Sequence, residues 1–176
     1  TKLVVFTGSD KSGAAVGSAA AAHFAPAALE LGGKSAQLVF ADADLSAALD
    51  GVVEGITGSC GQMCIAGSRL FIEESISHEF IEQLKIRFDN LVVGDPREEA
   101  TQVGPQVTKL QAEKTRQYIE LAKSDGGRVI AEAEISKSSK IAAGYYVRPT
   151  AFIDLPKTSV AVSEEIFGPV LSIDTF

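Results

Sequence analysis

The sequence has little positive charge and no long apolar segment. Its 176 residues include 16 lysines and arginines against 23 aspartates and glutamates, so the formal net charge is −7. A chain this acidic has no basic stripe that could release phosphate counterions, and we expect no nucleic-acid partner. An anionic membrane surface would repel the chain as well. Its apolar runs are far shorter than the roughly 20 residues of a membrane helix, so we expect no membrane association.

Cysteine and histidine are also scarce. Cys60 and Cys64 lie too close together to connect distant parts of a fold, and the sequence opens on a strand-like run rather than a secretory leader. These features are typical of a reducing compartment, and we expect a cytoplasmic protein. Because His23 and His78 are isolated and no second ligand pair follows the cysteines, we expect no metal site.

Hydrophobic patterning predicts an α/β fold with a largely parallel sheet and flanking helices. Short apolar runs predict buried strands at 3–6 and 37–40, and further strands at 28–31 and 70–72. Apolar residues at helical spacing predict helices at about 12–23, 45–56, 76–91 and 110–123. Strands that alternate with helices of this length favour parallel pairing.

Several local features follow from the same patterns. Asp44 and Ser75 are expected to cap the second and third helices. The stretches 146–153 and 160–162 are expected to be extended, and the polar stretch 137–144 to be exposed. Both ends of the chain lie inside strand-like runs, which would leave unpaired backbone edges in a complete domain. We therefore expect a piece of a longer polypeptide.

The segment 6–13 combines a strand, a glycine turn and the start of a helix. This layout places free backbone N–H groups and the positive end of a helix beside any bound anion. Gly8 would allow a phosphate to approach the backbone, and Ser9 offers a hydroxyl. The segment matches neither G-x-G-x-x-G nor a Walker loop, so taken alone it also fits a plain strand-to-helix turn.

Glu30 follows an apolar run and precedes two glycines, which predicts partial burial of its side chain. Desolvation would raise the pKa of its carboxyl toward the range of a general base. The alternative is a strand-end glutamate paired with Lys34.

Cys64 lies in the small-residue segment 59–69, where glycines on both sides leave room for a substrate. A thiolate is a strong nucleophile, and helix N–H groups nearby would lower its pKa and hold a developing oxyanion. The alternatives are a small buried structural cysteine, or a redox or metal-binding pair with Cys60.

The segment 164–170 places an acidic pair before an aromatic residue, a glycine and a proline. One carboxylate there could face a sugar hydroxyl and the ring a planar ligand. Without context, the same segment is a charged turn before a strand.

The order and spacing of these segments resemble the aldehyde dehydrogenase superfamily over essentially the whole chain. The succession is Phe-Thr-Gly-Ser at 6–9, Glu-Leu-Gly-Gly-Lys-Ser at 30–35, Gly-Gln-x-Cys at 61–64 and Glu-Glu-Ile-Phe-Gly-Pro-Val at 164–170. The resemblance implies that Cys64 is the catalytic nucleophile and Glu30 the general base. It implies NAD or NADP as cofactor, with contacts from Gly8, Ser9, Gly13, Leu31, Glu165 and Phe167.

The resemblance also implies a reaction and a domain organisation. An aldehyde would be oxidised to a carboxylic acid through a thiohemiacetal and a thioester on Cys64, with water activated by Glu30. Residues 1–30 would be the remnant of the dinucleotide-binding domain, and 31–176 a catalytic domain incomplete at its C-terminus. We expect the isolated chain to be inactive, and the full-length protein to be a homodimer or homotetramer.

Two other functions stay open at this point. Coenzyme A-acylating relatives usually lack the glutamate, so Glu30 favours the hydrolytic branch over that alternative. A non-catalytic structural domain of the same fold is the second alternative.

The chain departs from the family pattern at Ala36-Gln37, where Pro-Asn is frequent, and at Cys60, where Asn is common. A thiol at position 60 could trap Cys64 as a disulfide under oxidation.

Overall fold

The computed structural model describes residues 1–136 and 144–176, which form two compact units, Thr1–Gly33 and Lys34–Phe176. The polar stretch predicted at 137–144 lies outside the described residues, apart from Gly144, which is exposed. Within the described ranges, no helix is long and apolar enough to cross a membrane.

The first unit is a strand, a helix and a second strand. Strand β1 (Val4–Thr7) pairs in parallel with β2 (Ala27–Glu30), and helix α1 (Asp10–Ala22) connects them. Close packing of the helix depends on a small residue in its first turn. A Cβ atom on Gly13 would lie 2.4 Å from Cδ2 of Leu31, so no larger residue fits there unless Leu31 moves.

The second unit is built on a five-stranded sheet in the order β3–β4–β7–β6–β5. These strands are β3 (Ala36–Val39), β4 (Arg69–Ile72), β5 (Arg128–Glu132), β6 (Thr150–Ile153) and β7 (Val170–Thr175). The pairs β3–β4, β4–β7 and β6–β7 are parallel, whereas β5 pairs with β6 in antiparallel orientation. The predicted α/β fold with a largely parallel sheet is therefore confirmed.

Helices cover both faces of this sheet. They are α2 (Leu45–Thr57), α3 (Glu74–Asp89), α4 (Lys109–Ser124) and α5 (Val160–Ser163). Ala151 and Leu171 belong to the apolar cluster formed with α2 and α3. Their chain neighbours Phe152 and Val170 belong to the cluster formed with α4 and α5. Because successive strand residues point to opposite faces, the two cores lie on opposite sides of the sheet.

The strands predicted to be buried at 3–6 and 37–40 are only partly buried, since Val5 is 67% and Leu38 58% exposed. Each strand has one face that the described residues leave uncovered.

Two further local predictions are wrong. The stretch predicted as extended at 160–162 is helical, because the Ser159 side chain caps α5 by accepting the N–H of Ala161. Local capping outweighs the β preference of the two valines here. Ser75 does not cap α3, since that helix already begins at Glu74. The Ser75 hydroxyl instead donates to the Glu73 carboxylate at 2.9 Å.

Asp44 caps α2 as predicted. One of its carboxylate oxygens accepts the backbone N–H groups of Ser46 and Ala47, each at 3.1 Å. The cap fixes the start of the helix whose other end leads into the segment that carries Cys64.

Candidate functional site

In the first unit, the proposed anion-binding turn and Glu30 lie at the same edge of a sheet. Thr7 pairs with Glu30 in the parallel register of β1 and β2. The backbone N–H of Gly8 donates to the Glu30 carbonyl at 3.1 Å. Since both strands end at this edge, the structure brings Gly8, Ser9 and Glu30 together.

The start of α1 has the features of an anion site. Ser9 is the N-cap, and its hydroxyl oxygen accepts the N–H of Ser12 at 3.3 Å. The remaining first-turn N–H groups lie outside the helical hydrogen-bond ladder, and exposed Lys11 adds positive charge. Asp10 contributes the opposite charge, but its carboxylate accepts the N–H of Gly32 at 3.3 Å. The Ser9 hydroxyl donates to the Ser12 Oγ at 3.1 Å, so the amides of the first turn are the donors left for an anion.

The predicted burial of Glu30 is wrong for this chain, because its side chain is exposed. The reason is the small size of the sheet that carries it. Strand β2 has β1 as its one hydrogen-bonded neighbour among the described strands, and one helix packs beside the pair. Two strands and a helix provide too little surface to cover a side chain at the strand end.

In the second unit, Cys64 lies in the segment between α2 and β4, which we call the Cys64 loop (residues 58–67). Cys64 is exposed, whereas Cys60 is half-buried, and both thiols are free. The flanking Met63 and Ile65 are exposed as well. The first regular element after Cys64 is a strand, so the helix N–H groups expected beside the thiol are not formed there. A tight turn takes their place, in which the Ala66 N–H donates to the Met63 carbonyl at 3.0 Å.

The entry to the Cys64 loop has an unusual backbone. Ser59 (φ 49°, ψ 30°), Cys60 (φ 60°, ψ 31°) and Gly61 (φ 71°) are consecutive left-handed residues. Each non-glycine residue in this conformation costs about 1–2 kcal/mol. Such strain persists only where surrounding contacts determine the backbone, and it is frequent at functional sites.

Gly61 packs directly against the segment that contains Glu165 and Phe167. A Cβ atom on Gly61 would lie 2.4 Å from the carbonyl carbon of Gly168 and 2.6 Å from the nitrogen of Pro169. The absence of a side chain at Gly61 therefore allows two backbone segments to touch. Within this unit, the structure brings the Cys64 loop beside the segment 164–169.

The segment 164–169 is held by helix α4. The Gln111 side-chain amide donates to the carbonyls of Ile166 at 3.0 Å and Phe167 at 2.8 Å. Phe167 itself has a left-handed backbone with φ 61°. The Lys114 ammonium donates to the Glu165 carbonyl at 3.2 Å. The side chains of Glu165 and Phe167, which sequence analysis assigned to the cofactor, thus stand on a fixed backbone.

Three further glutamines contact the Cys64 loop or its neighbours, and sequence analysis missed their role. The Gln106 amide donates to the Cys60 carbonyl at 3.0 Å, and Gln37 donates to the Gly67 carbonyl at 2.7 Å. The Gln62 side-chain oxygen accepts the N–H of Val107 at 2.9 Å. A buried glutamine cannot be told from an exposed one by sequence pattern alone. The one signal was the departure from Asn at position 37.

Two titratable groups near the site have shifted pKa values. Burial, helped by the neighbouring Arg69 charge, lowers the pKa of Lys34 to about 8, although the acidic residues Glu164 and Glu165 act in the opposite direction. The Lys34 ammonium is buried and has no hydrogen-bond partner among the described residues. Burial raises the pKa of the Cys60 thiol, an effect that the N–H of Gly104 partly offsets.

No three metal-ligating side chains come together in residues 1–136 and 144–176.

Comparison with known proteins gives a consistent result. The sequence profile of the aldehyde dehydrogenase family matches residues 1–176. The betaine aldehyde dehydrogenase of Rhizobium johnstonii is 43% identical over 173 residues, which cover 98% of this chain and 35% of that protein. The corresponding protein of Agrobacterium fabrum is 40% identical with the same coverage.

Solved structures agree. An NAD-dependent aldehyde dehydrogenase from Sinorhizobium meliloti superposes with a TM-score of 0.93 at 39% identity, covering all of this chain and 34% of that chain. Betaine aldehyde dehydrogenase from Staphylococcus aureus in complex with NAD+ gives a TM-score of 0.94 at 31% identity, covering 100% of this chain and 35% of the other. The chain thus spans about a third of the length of the relatives that it matches.

Proposed function

We propose a function that follows from one fact: the chain belongs to the aldehyde dehydrogenase family. In this proposal the chain supplies the nucleophile and the general base of an NAD(P)-dependent enzyme. This enzyme would oxidise an aldehyde to a carboxylic acid. The observation that carries the proposal is an exposed Cys64 on a fixed loop, packed beside the segment of Glu165 and Phe167. Because the chain spans about a third of its relatives, we further propose that it acts as part of a longer polypeptide.

Cys64 is the residue that captures the substrate. Its thiolate attacks the aldehyde carbon, the carbonyl π bond breaks, and a tetrahedral thiohemiacetal forms on sulfur. The negative charge that develops on oxygen requires hydrogen-bond donors at the loop, and the Cys64 N–H is the donor that we assign. The exposed position of the thiol leaves its path of approach open.

Glu30 is the residue that releases the product. Its carboxylate takes a proton from water, and the resulting hydroxide attacks the thioester carbon and expels the Cys64 thiolate. The product is a free carboxylic acid, whereas transfer to coenzyme A would not need this base.

We propose NAD or NADP as the cofactor, held by the residues that the family resemblance assigns to it. Gly8, Ser9 and the first-turn amides of α1 would hold the pyrophosphate, with Gly13 and Leu31 packing behind them. Glu165 and Phe167 would bind the nicotinamide ribose and ring. The bound cofactor would supply the hydride acceptor for oxidation of the thiohemiacetal on Cys64 to the thioester.

We propose the betaine aldehyde class as the first substrate to test, since relatives at 40–43% identity carry that name. The full-length protein is proposed to be a homodimer or homotetramer, which sedimentation would establish. The 1–30 segment would belong to the dinucleotide-binding domain and 31–176 to the catalytic domain.

The experiment compares Cys64→Ser with Cys60→Ser in the longer polypeptide. NAD+ or NADP+ reduction is followed with betaine aldehyde, and the product is assayed as free acid or as acyl-coenzyme A. We expect free acid, a loss of roughly 10³-fold or more in kcat for Cys64→Ser, and near wild-type turnover for Cys60→Ser. Full activity of Cys64→Ser would overturn the proposed function. Robust NAD+ reduction by the 176-residue chain alone would overturn the separate expectation that this chain is inactive.

A further inference from the structure

The Cys64 loop is fixed at both ends and exposed in its middle. At its entry, the Gln106 side-chain amide donates to the Cys60 carbonyl at 3.0 Å. At its exit, the Gln37 side-chain amide donates to the Gly67 carbonyl at 2.7 Å. Cys64 lies between these two points and is exposed. An exposed thiol has little packing of its own, so its direction is set by the loop ends.

Gln106 is well placed to hold the entry. Its side chain is 3% exposed, and its oxygen Oε1 is buried without a hydrogen-bond partner among the described residues. The reverse amide orientation would place Oε1 against the Cys60 carbonyl oxygen, so Nε2 must face it. The backbone at Gln106 is held by hydrogen bonds as well. The Gln106 N–H donates to the Tyr145 carbonyl at 2.9 Å, and the Val107 N–H donates to the Gln62 side-chain oxygen at 2.9 Å.

Gln37 holds the exit in a different way. Its amide bridges two backbone carbonyls, those of Gly67 at 2.7 Å and Val52 at 3.3 Å. Its side chain also fills the space that two glycines leave free. A Cβ atom would lie 2.4 Å from the Gln37 Cδ if placed on Gly67, and 2.7 Å from its Oε1 if placed on Gly55. The side chain is thus enclosed between α2 and the end of the loop.

We propose that Gln106 and Gln37 are positioning residues that together hold the Cys64 loop in the conformation that presents the thiol to a carbonyl carbon. The inference rests on the proposed role of Cys64 as nucleophile. The left-handed residues at the loop entry require such support, because a strained backbone relaxes unless neighbouring contacts fix it. Gln106 donates a hydrogen bond to one of those residues, Cys60. Gln37 holds Gly67 in place, so the exit of the loop would not move if the entry relaxed.

The first test uses the 176-residue chain and hydrogen–deuterium exchange of the loop amides. The variants are Gln106→Leu and Gln37→Leu, which keep side-chain size and remove the amide. The matched control is Gln102→Leu, which removes an exposed glutamine that accepts the Val92 N–H at 3.0 Å outside the loop. We expect exchange in 58–67 to accelerate at least tenfold in both loop variants and to stay within twofold of wild type in the control. Unchanged loop exchange in either loop variant would overturn the proposal.

The second test measures kcat and KM in the longer polypeptide. Both leucine variants should lose at least tenfold in kcat, with KM for NAD+ and the melting temperature close to those of Gln102→Leu. Gln37→Asn, which keeps an amide at the position where the family commonly has Asn, should recover most of the lost kcat. A folding defect in place of the kcat loss, or no rescue by Asn, would overturn the positioning role.

The two hypotheses fail in different ways. If Cys64→Ser keeps its turnover, the proposed function itself is wrong. If Cys64→Ser is inactive while both leucine variants match wild type in kcat, the nucleophile stands and the positioning role is overturned.

Discussion

Replacement of Gly61 by alanine provides a sharp test of how the Cys64 loop is held. The new Cβ atom would lie 2.4 Å from the Gly168 carbonyl carbon, 2.5 Å from its oxygen and 2.6 Å from the Pro169 nitrogen. Non-bonded carbon atoms normally stay about 3.5–4.0 Å apart. All three neighbours are backbone atoms, so no rotation of a flexible side chain relieves the contact. The loop or the segment 164–169 must move.

Two terms make up the expected cost. The left-handed backbone at Gly61, with φ of 71°, costs about 1–2 kcal/mol for an alanine. Forcing an extra methyl group into a filled space costs roughly 1–3 kcal/mol more. We expect Gly61→Ala to lower the free energy of unfolding of the second unit by about 2–5 kcal/mol.

Two matched glycines separate these terms. Gly126 has φ of 98° with no atom near its Cβ position, so Gly126→Ala should show the backbone term alone, about 1–2 kcal/mol. Gly51 lies within α2 and also has open space, so Gly51→Ala should stabilise the chain by about 0.5–1 kcal/mol. Urea unfolding followed by circular dichroism measures all three. If Gly61→Ala costs no more than Gly126→Ala, the two backbone segments do not pack as described.

Three further predictions concern single groups. Between pH 8 and pH 10.5 the folded chain releases the Lys34 proton while the unfolded chain keeps it, so stability should rise with pH, by on the order of 3 kcal/mol. Urea unfolding should show Lys34→Met more stable than wild type at pH 7 and the difference lost above pH 10.5; equal stabilities at pH 7 would refute this. Because burial raises the pKa of the half-buried Cys60, iodoacetamide at pH 7 should label exposed Cys64 first, as peptide mapping would reveal, and the reverse order would count against this arrangement. Asp44→Ala removes the cap of α2 and should lower the free energy of unfolding by about 1 kcal/mol in urea titrations, whereas no change would mean the cap is not needed.

The fold was predictable because the spacing of apolar residues alone distinguishes most of its helices from its strands. Strands β3 and β4 are short apolar runs, and α3 repeats large apolar residues on one face, so their types follow from sequence. The failures have local causes. The Val-Ala-Val run of α5 has the composition of a strand, but the hydroxyl of Ser159 caps it as a helix.

The reacting groups proposed for the candidate site could be named from the sequence, whereas the contacts that support them could not. Cys64 and Glu30 stand in motifs, and their residue types carry the chemistry. The left-handed entry at Ser59, the half-buried amide of Gln37 and the buried amide of Gln106 have no counterpart in composition or period. They arise from contacts between segments distant in sequence, which only the folded chain reveals.

The proposed role of Cys64 as the acyl-carrying nucleophile, with Glu30 proposed to release the acid, is most directly tested by trapping the intermediate. Glu30→Gln in the longer polypeptide is mixed with NAD+ and betaine aldehyde, and the protein is analysed by intact mass and peptide mapping. We predict a burst of one NADH per site and one acyl group that accumulates on the sulfur of Cys64. An acyl group on another residue, or release of free acid at the wild-type rate, would contradict the account.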